Sequence, residues 1–287
     1  MKKKFGFTVL LLALLVPALI FLTKEKKPRR RGTLAEKPFV VVVPSYNNSA
    51  FCEQNILSIL NQEYQNFRVI YIEDASKDDT HEKVKAIVDR SRLKDRVQII
   101  RNEKNQGSLK NLFTAIHTCR DDEIVLRCDG DDFLARPDVL KKLNKIYADP
   151  QIWMTYGNYL DYPTYQQKPK LAEKFPASVL KARKFRQHRW VTHHPQTFYA
   201  GLFKKISQKD LMKDGQFYPM AGDLGFVLPM LEMASGHFQF VDEVLYLYNR
   251  KNPLNDHIVN LAKQAAFDQY IRSLPPYEPL QQPPYLP

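Results

Sequence analysis

The sequence predicts an α/β fold, with a mostly parallel, Rossmann-like central sheet flanked by helices. Three observations predict it. Short apolar runs alternate strictly with segments of helical period through the first half of the chain. Those runs end in turn-forming or acidic residues. The run Ile124-Val125-Leu126-Arg127-Cys128-Asp129-Gly130-Asp131-Asp132 ends in three carboxylates within four residues. Open α/β sheets bind ligands at the carboxyl edge, where this acidic group falls.

Each element follows from local pattern. Phe39 to Val43 is a β-branched run stopped by Pro44, a buried strand. Ala50 to Gln62 repeats Ile56, Leu57, Ile59 and Leu60 at helical spacing. Phe67 to Ile72 is the second strand. Asp78 to Arg90 is a polar helix with Val84, Ile87 and Val88 inward. Val97 to Ile100 is the third strand, Ser108 to Cys119 a helix, and Glu123 to Cys128 the fourth strand. Pro137 to Ala148 is a helix with proline near its first turn. The second half is less regular. Trp153 to Tyr159 reads as a strand and residues 163–182 as a polar loop. Phe198 to Lys205 and Leu224 to Ala234 read as helices, Phe238 to Tyr248 as a strand, and Val259 to Ile271 as a closing helix. The Pro-rich residues 273–287 are expected to be disordered.

The chain of 287 residues carries a net charge of +12, which invites a nucleic-acid reading. Its placement argues against one. Residues 1–31 hold nine Lys or Arg and one Glu, a net +8, so the remainder carries only +4. That terminus reads as a membrane anchor. Lys2, Lys3 and Lys4 precede an uncharged apolar run from Phe5 to Leu22. Eighteen residues at about 1.5 Å each span roughly 27 Å, enough to cross a hydrocarbon core. No small-x-small cleavage site follows, so residues 1–23 are expected to be a stub and uncleaved transmembrane signal-anchor, and 24–37 a basic linker. Six basic residues after the run against three before it favour a body on the cytoplasmic face, or in the Golgi lumen if the host is eukaryotic. Three cysteines suggest no disulfide framework, which fits a reducing compartment.

Crowded carboxylates repel one another unless a cation sits among them, so Asp129, Asp131 and Asp132 suggest a divalent metal beside a phosphate-bearing ligand. An EF-hand is excluded: Gly130 is misplaced, and the twelfth position from Asp129 is Leu140 rather than Glu. Pro44-Ser45-Tyr46-Asn47, Glu73-Asp74-Ala75-Ser76-Lys77-Asp78-Asp79-Thr80, Asn105-Gln106-Gly107 and Asp129-Gly130-Asp131-Asp132 end successive predicted strands. With Ser58-Ile59-Leu60-Asn61-Gln62 on the first helix, this set resembles the family 2 glycosyltransferases, over about residues 38 to 255.

The resemblance implies a GT-A fold over residues 38–272 and transfer of a sugar from a nucleoside-diphosphate donor, by the family's habit a UDP-sugar, to an acceptor hydroxyl with inversion. The acceptor is an unspecified glycan, lipid or protein. Pro44, Ser45, Tyr46, Asn47, Asp74, Lys110, Asp129 and Gly130 become nucleotide-sugar candidates, with Asp74 where the family recognises the base. Lys110 departs from the usual Ala-Arg-Asn context. Asp131, Asp129 and Asp132 become ligands for Mn²⁺ or Mg²⁺, ions that favour oxygen donors, and His257 an additional candidate ligand. Asp223 matches the family's general base, although Gly222 stands where Glu is usual. It also suits the N-terminus of the helix from Leu224, and both roles can coexist. His194 and Trp190 are acceptor-side candidates. Gln187-His188-Arg189-Trp190 is one residue short of the processive-synthase motif and precedes Asp223, so a polymer-extruding enzyme is excluded. Gly222 and Ala75 keep a second reading open, a catalytically inactive nucleotide-sugar or glycan binding module.

Overall fold

The computed structural model describes residues 34–254 and 260–286. The anchor, the linker as far as residue 33, and His257 lie outside them. Among the described residues no helix is long and apolar enough to cross a membrane.

Strand β1 (Phe39–Ser45) is buried at all seven positions. It pairs in parallel with β2 (Phe67–Glu73) on one side and β4 (Ile124–Arg127) on the other, and β3 (Val97–Arg101) extends the sheet beyond β2. Parallel strands need crossovers that cover both faces, which is why these segments read as unbroken apolar runs. The crossovers are α1 (Cys52–Leu60), α2 (Thr80–Arg90) and α3 (Ser108–His117), which bury Ile56 and Ile59, Val84 and Val88, and Leu112 and Ile116. The ends of these four strands lie within two residues of those expected.

The second half adds β5 (Phe133–Leu134), α4 (Val139–Ile146), β6 (Met154–Tyr162), α5 (Ala177–Ala182), β7 (His193–Tyr199) and α6 (Ala200–Lys204). A small hairpin, β8 (Met212–Lys213) and β9 (Gln216–Phe217), leads to α7 (Gly222–Ala234), β10 (Phe238–Asn249) and α8 (Leu261–Ser273). The main sheet has eight strands in the order β3-β2-β1-β4-β7-β6-β10-β5. Strand β7 runs antiparallel to both β4 and β6, and β10 runs parallel to β6.

Three expectations need correction. Residues 198–205 are not one helix: His193–Tyr199 forms β7, and only Ala200–Lys204 is helical. Thr197, Phe198 and Tyr199 pair with Leu126, Val125 and Ile124 of β4, and β-branched and aromatic residues suit that half-covered surface. Pro195, which reads as a strand breaker, falls where the β6–β7 register shifts between Thr155 and Gly157. A Cβ on Gly157 would lie 2.9 Å from the Pro195 ring, so the missing side chain makes room for it. The polar stretch 163–182 contains α5.

The Pro-rich tail is also packed rather than disordered. Tyr277, Leu280 and Tyr285 rest against the core. The Leu280 N–H donates to Met233 O at 2.9 Å, and the Tyr285 ring lies 4.3 Å from that of Tyr199. The ideal Cβ position on Gly201 is 2.0 Å from the Pro284 carbonyl, so only glycine admits the tail there. Prolines restrict the unfolded chain, so ordering this segment costs less entropy than its composition suggests.

Candidate functional site

The carboxyl ends of β1 and β4 open into a cleft of about 620 Å³, reached by the N-terminus of α7 and the end of β10. That is ample for a small-molecule ligand. Pro44, Tyr46, Asp74, Asp129, Asp131 and Asp223 all line it, as do Trp190 and His194. Elements distant in sequence therefore bring most of the candidates together.

The acidic turn is held in two halves. Asp129 takes two hydrogen bonds from Arg127, Nε to Oδ1 at 2.8 Å and Nη2 to Oδ2 at 2.7 Å. Its backbone N–H donates to the Tyr246 hydroxyl at 3.1 Å. That hydroxyl donates to Asp132 Oδ2 at 2.8 Å, while the Asn249 N–H donates to Asp132 Oδ1 at 2.8 Å. Asp132 is thus buried beneath the cleft and fixed by β10. Asp131 points to the cleft and accepts from Asn252 Nδ2 at 2.7 Å. Gly130 is needed here because a Cβ would fall 2.5 Å from the Ser45 side chain.

The donor set fits a divalent cation. Asp129, Asp132 and His194 each offer an atom within 4.8 Å of the others. Burial first, and then the neighbouring Asp129 charge, push the Asp131 carboxyl up to about 6, and burial with Asp131 and Asp129 drives Asp132 well above the usual range. A cation among them would relieve that repulsion.

Asp131 also makes a stability prediction. Below its ordinary 3.8 the carboxyl is protonated in folded and unfolded chains alike. As pH rises, the unfolded chain ionises first, so the metal-free fold is penalised progressively until pH passes about 6. The penalty levels off on the order of 3 kcal/mol. Asp131→Asn is therefore expected to raise the melting temperature of the metal-free protein at pH 8 and to change it little at pH 4. Equal shifts at both pH values would refute this origin.

Asp223 lies in the first turn of α7, with its Oδ1 accepting from the Leu224 N–H at 3.0 Å. Burial raises its carboxyl, and the charge of Arg127 pulls it partly back. The expected Glu would crowd this bend: a Cβ at Gly222 would already lie 3.3 Å from Leu109. Burial opposes the Arg127 charge, but Asp129 and Asp223 more than offset it and keep the guanidinium protonated. Arg127 also lies over the Phe226 ring at 5.9 Å.

Asp74 binds the loop that leads into α3. Its Oδ1 accepts from the Gln106 N–H at 2.8 Å and from Asn102 Nδ2 at 2.7 Å, and its Oδ2 accepts from the Gly107 N–H at 2.9 Å. Oδ2 keeps capacity for one more donor. Four nucleotide-sugar candidates do not line the cleft. Ser45 is buried, its Oγ accepting from Tyr71 and Asn48. Asn47 pins the β2–α2 loop through Ser76 and Lys77. Gly130 lies behind Asp129, and Lys110 is exposed with its amino group bonded to Gln106. These residues serve the strand-end turns and α3 instead, where short polar residues and glycine are favoured.

Sequence reasoning missed Arg127, Tyr246 and Asn252. Arg127 left a signal, as a cation ending an otherwise apolar strand is uncommon unless paired. Tyr246 and Asn252 left none, because only the return of β10 brings them to the acidic turn. An aromatic wall was missed as well: Tyr159 and Tyr248 lie 5.0 Å apart in the cleft lining, and Tyr248 stacks 6.4 Å from His194.

Residues 40–211, more than half of the chain, match the family described as Glycosyl transferase family 2. An uncharacterized glycosyltransferase of Haemophilus influenzae is 34% identical over 119 residues, covering 42% of this chain and 46% of that protein. Glycosyltransferase GlyG of Streptococcus pneumoniae is 28% identical over 123 residues, 42% of this chain and 39% of its own length. The matched stretch thus spans less than half of each relative. S. aureus TarS, solved with UDP-GlcNAc, superposes with a TM-score of 0.56 at 16% identity over 75% of this chain and 59% of that one. The mannosyltransferase PcManGT of Pyrobaculum calidifontis, solved with GDP-Man and Mn²⁺, gives 0.56 at 18% identity over 88% and 67%. At such identities these two likenesses establish the fold.

Proposed function

The chain belongs to glycosyl transferase family 2, and from that premise we propose that it moves one sugar from a nucleoside-diphosphate donor, by preference a UDP-sugar, to an acceptor hydroxyl. The observation that carries the reading is the single cleft onto which Asp223 and the Asp129–Asp131 turn both open, with the Arg127 charge between their influences. The bound nucleotide-sugars of TarS and PcManGT, in proteins of the same fold, support a donor of that class.

Each residue has a task in this reaction. The remaining acceptor site on Asp74 Oδ2 takes an N–H of the base, and Tyr46 lines the same cleft. Asp129, Asp131 and Asp132 would hold a divalent cation, which when bound offsets charge on the departing diphosphate. Arg127 adds a fixed positive charge beside Asp129. Asp223 accepts the proton of the acceptor hydroxyl as its oxygen forms a bond to the anomeric carbon and the bond to the diphosphate breaks. One displacement inverts that carbon. Trp190 and the Tyr159–Tyr248 wall offer flat apolar faces on the acceptor side, to a glycan, lipid or protein. The basic, apolar N-terminal run would keep this chemistry at the cytoplasmic face of a membrane.

A panel of UDP- and GDP-sugars with Mn²⁺ tests the reading. Release of nucleoside diphosphate from at least one donor, abolished by EDTA, is expected. Silence across the panel, together with no thermal shift from any nucleotide, would overturn it.

A further inference from the structure

His194 is only 7% exposed, yet neither ring nitrogen makes a hydrogen bond among the described residues. Its Nε2 stands 4.0 Å from Asp129 Oδ2, too far for a hydrogen bond. A buried polar group left in this state costs free energy, so a native one calls for an explanation. The ring cannot turn away easily. It stacks on Tyr246 at 4.7 Å with an interplanar angle of 12°. Tyr246 in turn bonds both the Asp129 backbone and the Asp132 carboxylate. One phenol therefore fixes the imidazole relative to both carboxylates. His193, next in the strand, packs near Trp190 and Tyr159 instead.

We propose that His194 is a direct ligand of the divalent cation, through Nε2, completing a mixed nitrogen–oxygen set with Asp129 and Asp132. The inference rests on the nucleotide-sugar reading for the cation's purpose, but not for its existence. Asp129 and His194 line the cleft, and a carboxylate oxygen of the buried Asp132 lies within 4.8 Å of a ligand atom on each. A nitrogen donor turns an oxygen site that suits Mg²⁺ toward transition ions such as Mn²⁺ and Co²⁺. Coordination gives Nε2 the partner it lacks and leaves the ring proton on Nδ1.

Pulsed electron spin-echo measurements on the full chain loaded with Mn²⁺ test this. Modulation from a directly bound ¹⁴N is expected, changing to the ¹⁵N pattern when histidine alone is ¹⁵N-labelled, which needs no variant. His194→Gln should abolish the modulation and weaken Mn²⁺ binding by at least about tenfold, while narrowing the preference for Mn²⁺ over Mg²⁺. Bound Mn²⁺ without nitrogen modulation, modulation that survives in His194→Gln, or no bound Mn²⁺ at all would each overturn the proposal. Adding UDP separates the two readings. Modulation from ³¹P reports a nucleotide beside the ion whether or not nitrogen is coupled, so loss of ¹⁴N alone leaves the transferase reading intact.

Discussion

Asp223→Asn is expected to lower sugar transfer about 10³-fold, within the range typical of losing a general base. The substitution keeps shape and one acceptor oxygen, so the bond from the Leu224 N–H can persist. It removes the capacity to take a proton. Donor affinity should hardly change, because in the proposed reaction Asp223 serves the acceptor hydroxyl rather than the diphosphate. The protein should not be destabilised either, since a buried carboxyl already disfavoured by burial is replaced by a neutral group. Single-turnover transfer and donor titration, measured on the same preparation, check both halves. Transfer within tenfold of the parent would place the base elsewhere. Loss of donor binding in step with transfer would show that Asp223 holds substrate.

Glu232→Ala is expected to cost about 3–5 kcal/mol of unfolding free energy, because it strands a buried guanidinium. Arg186 donates from Nε to Glu232 Oε1 at 2.7 Å and from Nη2 to Oε2 at 2.9 Å, and the two side chains are 8% and 0% exposed. The pair joins three elements. Arg186 Nη1 donates to the Ile271 carbonyl in α8 at 2.6 Å, and the Tyr277 N–H of the tail donates to Glu232 Oε2 at 2.9 Å. Urea unfolding should show a lower midpoint, with the tail released first as increased protease sensitivity beyond residue 273. The double replacement Arg186→Met with Glu232→Leu should recover much of the loss, because no charge is then left buried. A single-variant cost under about 1 kcal/mol would mean that water reaches the guanidinium.

The parallel half of the sheet was legible because its signals are local. Phe39 to Val43 and Ile124 to Leu126 are apolar without interruption, and turn residues mark their ends. The acidic turn and Asp223 were legible for the same reason: each is a short run of chemistry at a predicted strand or helix end. Strand β7 was not, since the run from Phe198 reads as a helix until β4 and β6 supply partners on either side. The tail misled for a related reason. Its composition resembles a disordered segment, yet Tyr277, Leu280 and Tyr285 find apolar surface that no local window reveals. Four nucleotide candidates, Ser45, Asn47, Lys110 and Gly130, lie in or beside the motifs but turn to the loops, since a motif specifies a turn before it specifies which side chains face a ligand.

By itself the sequence determined the class of fold, the edge of the sheet where the cleft opens, and the carboxylates that gather there. Periodicity, turn chemistry and charge density act over a few residues, so they survive in the linear order. Only the tertiary structure decided which groups oppose those carboxylates. Arg127 grips Asp129, Asn252 takes Asp131, Tyr246 joins Asp129 to Asp132, and His194 stands unbonded beside them. Except for Arg127, these partners arrive on β7, on β10 and just beyond it, through antiparallel and long-range pairings whose registers are set by packing across the whole sheet.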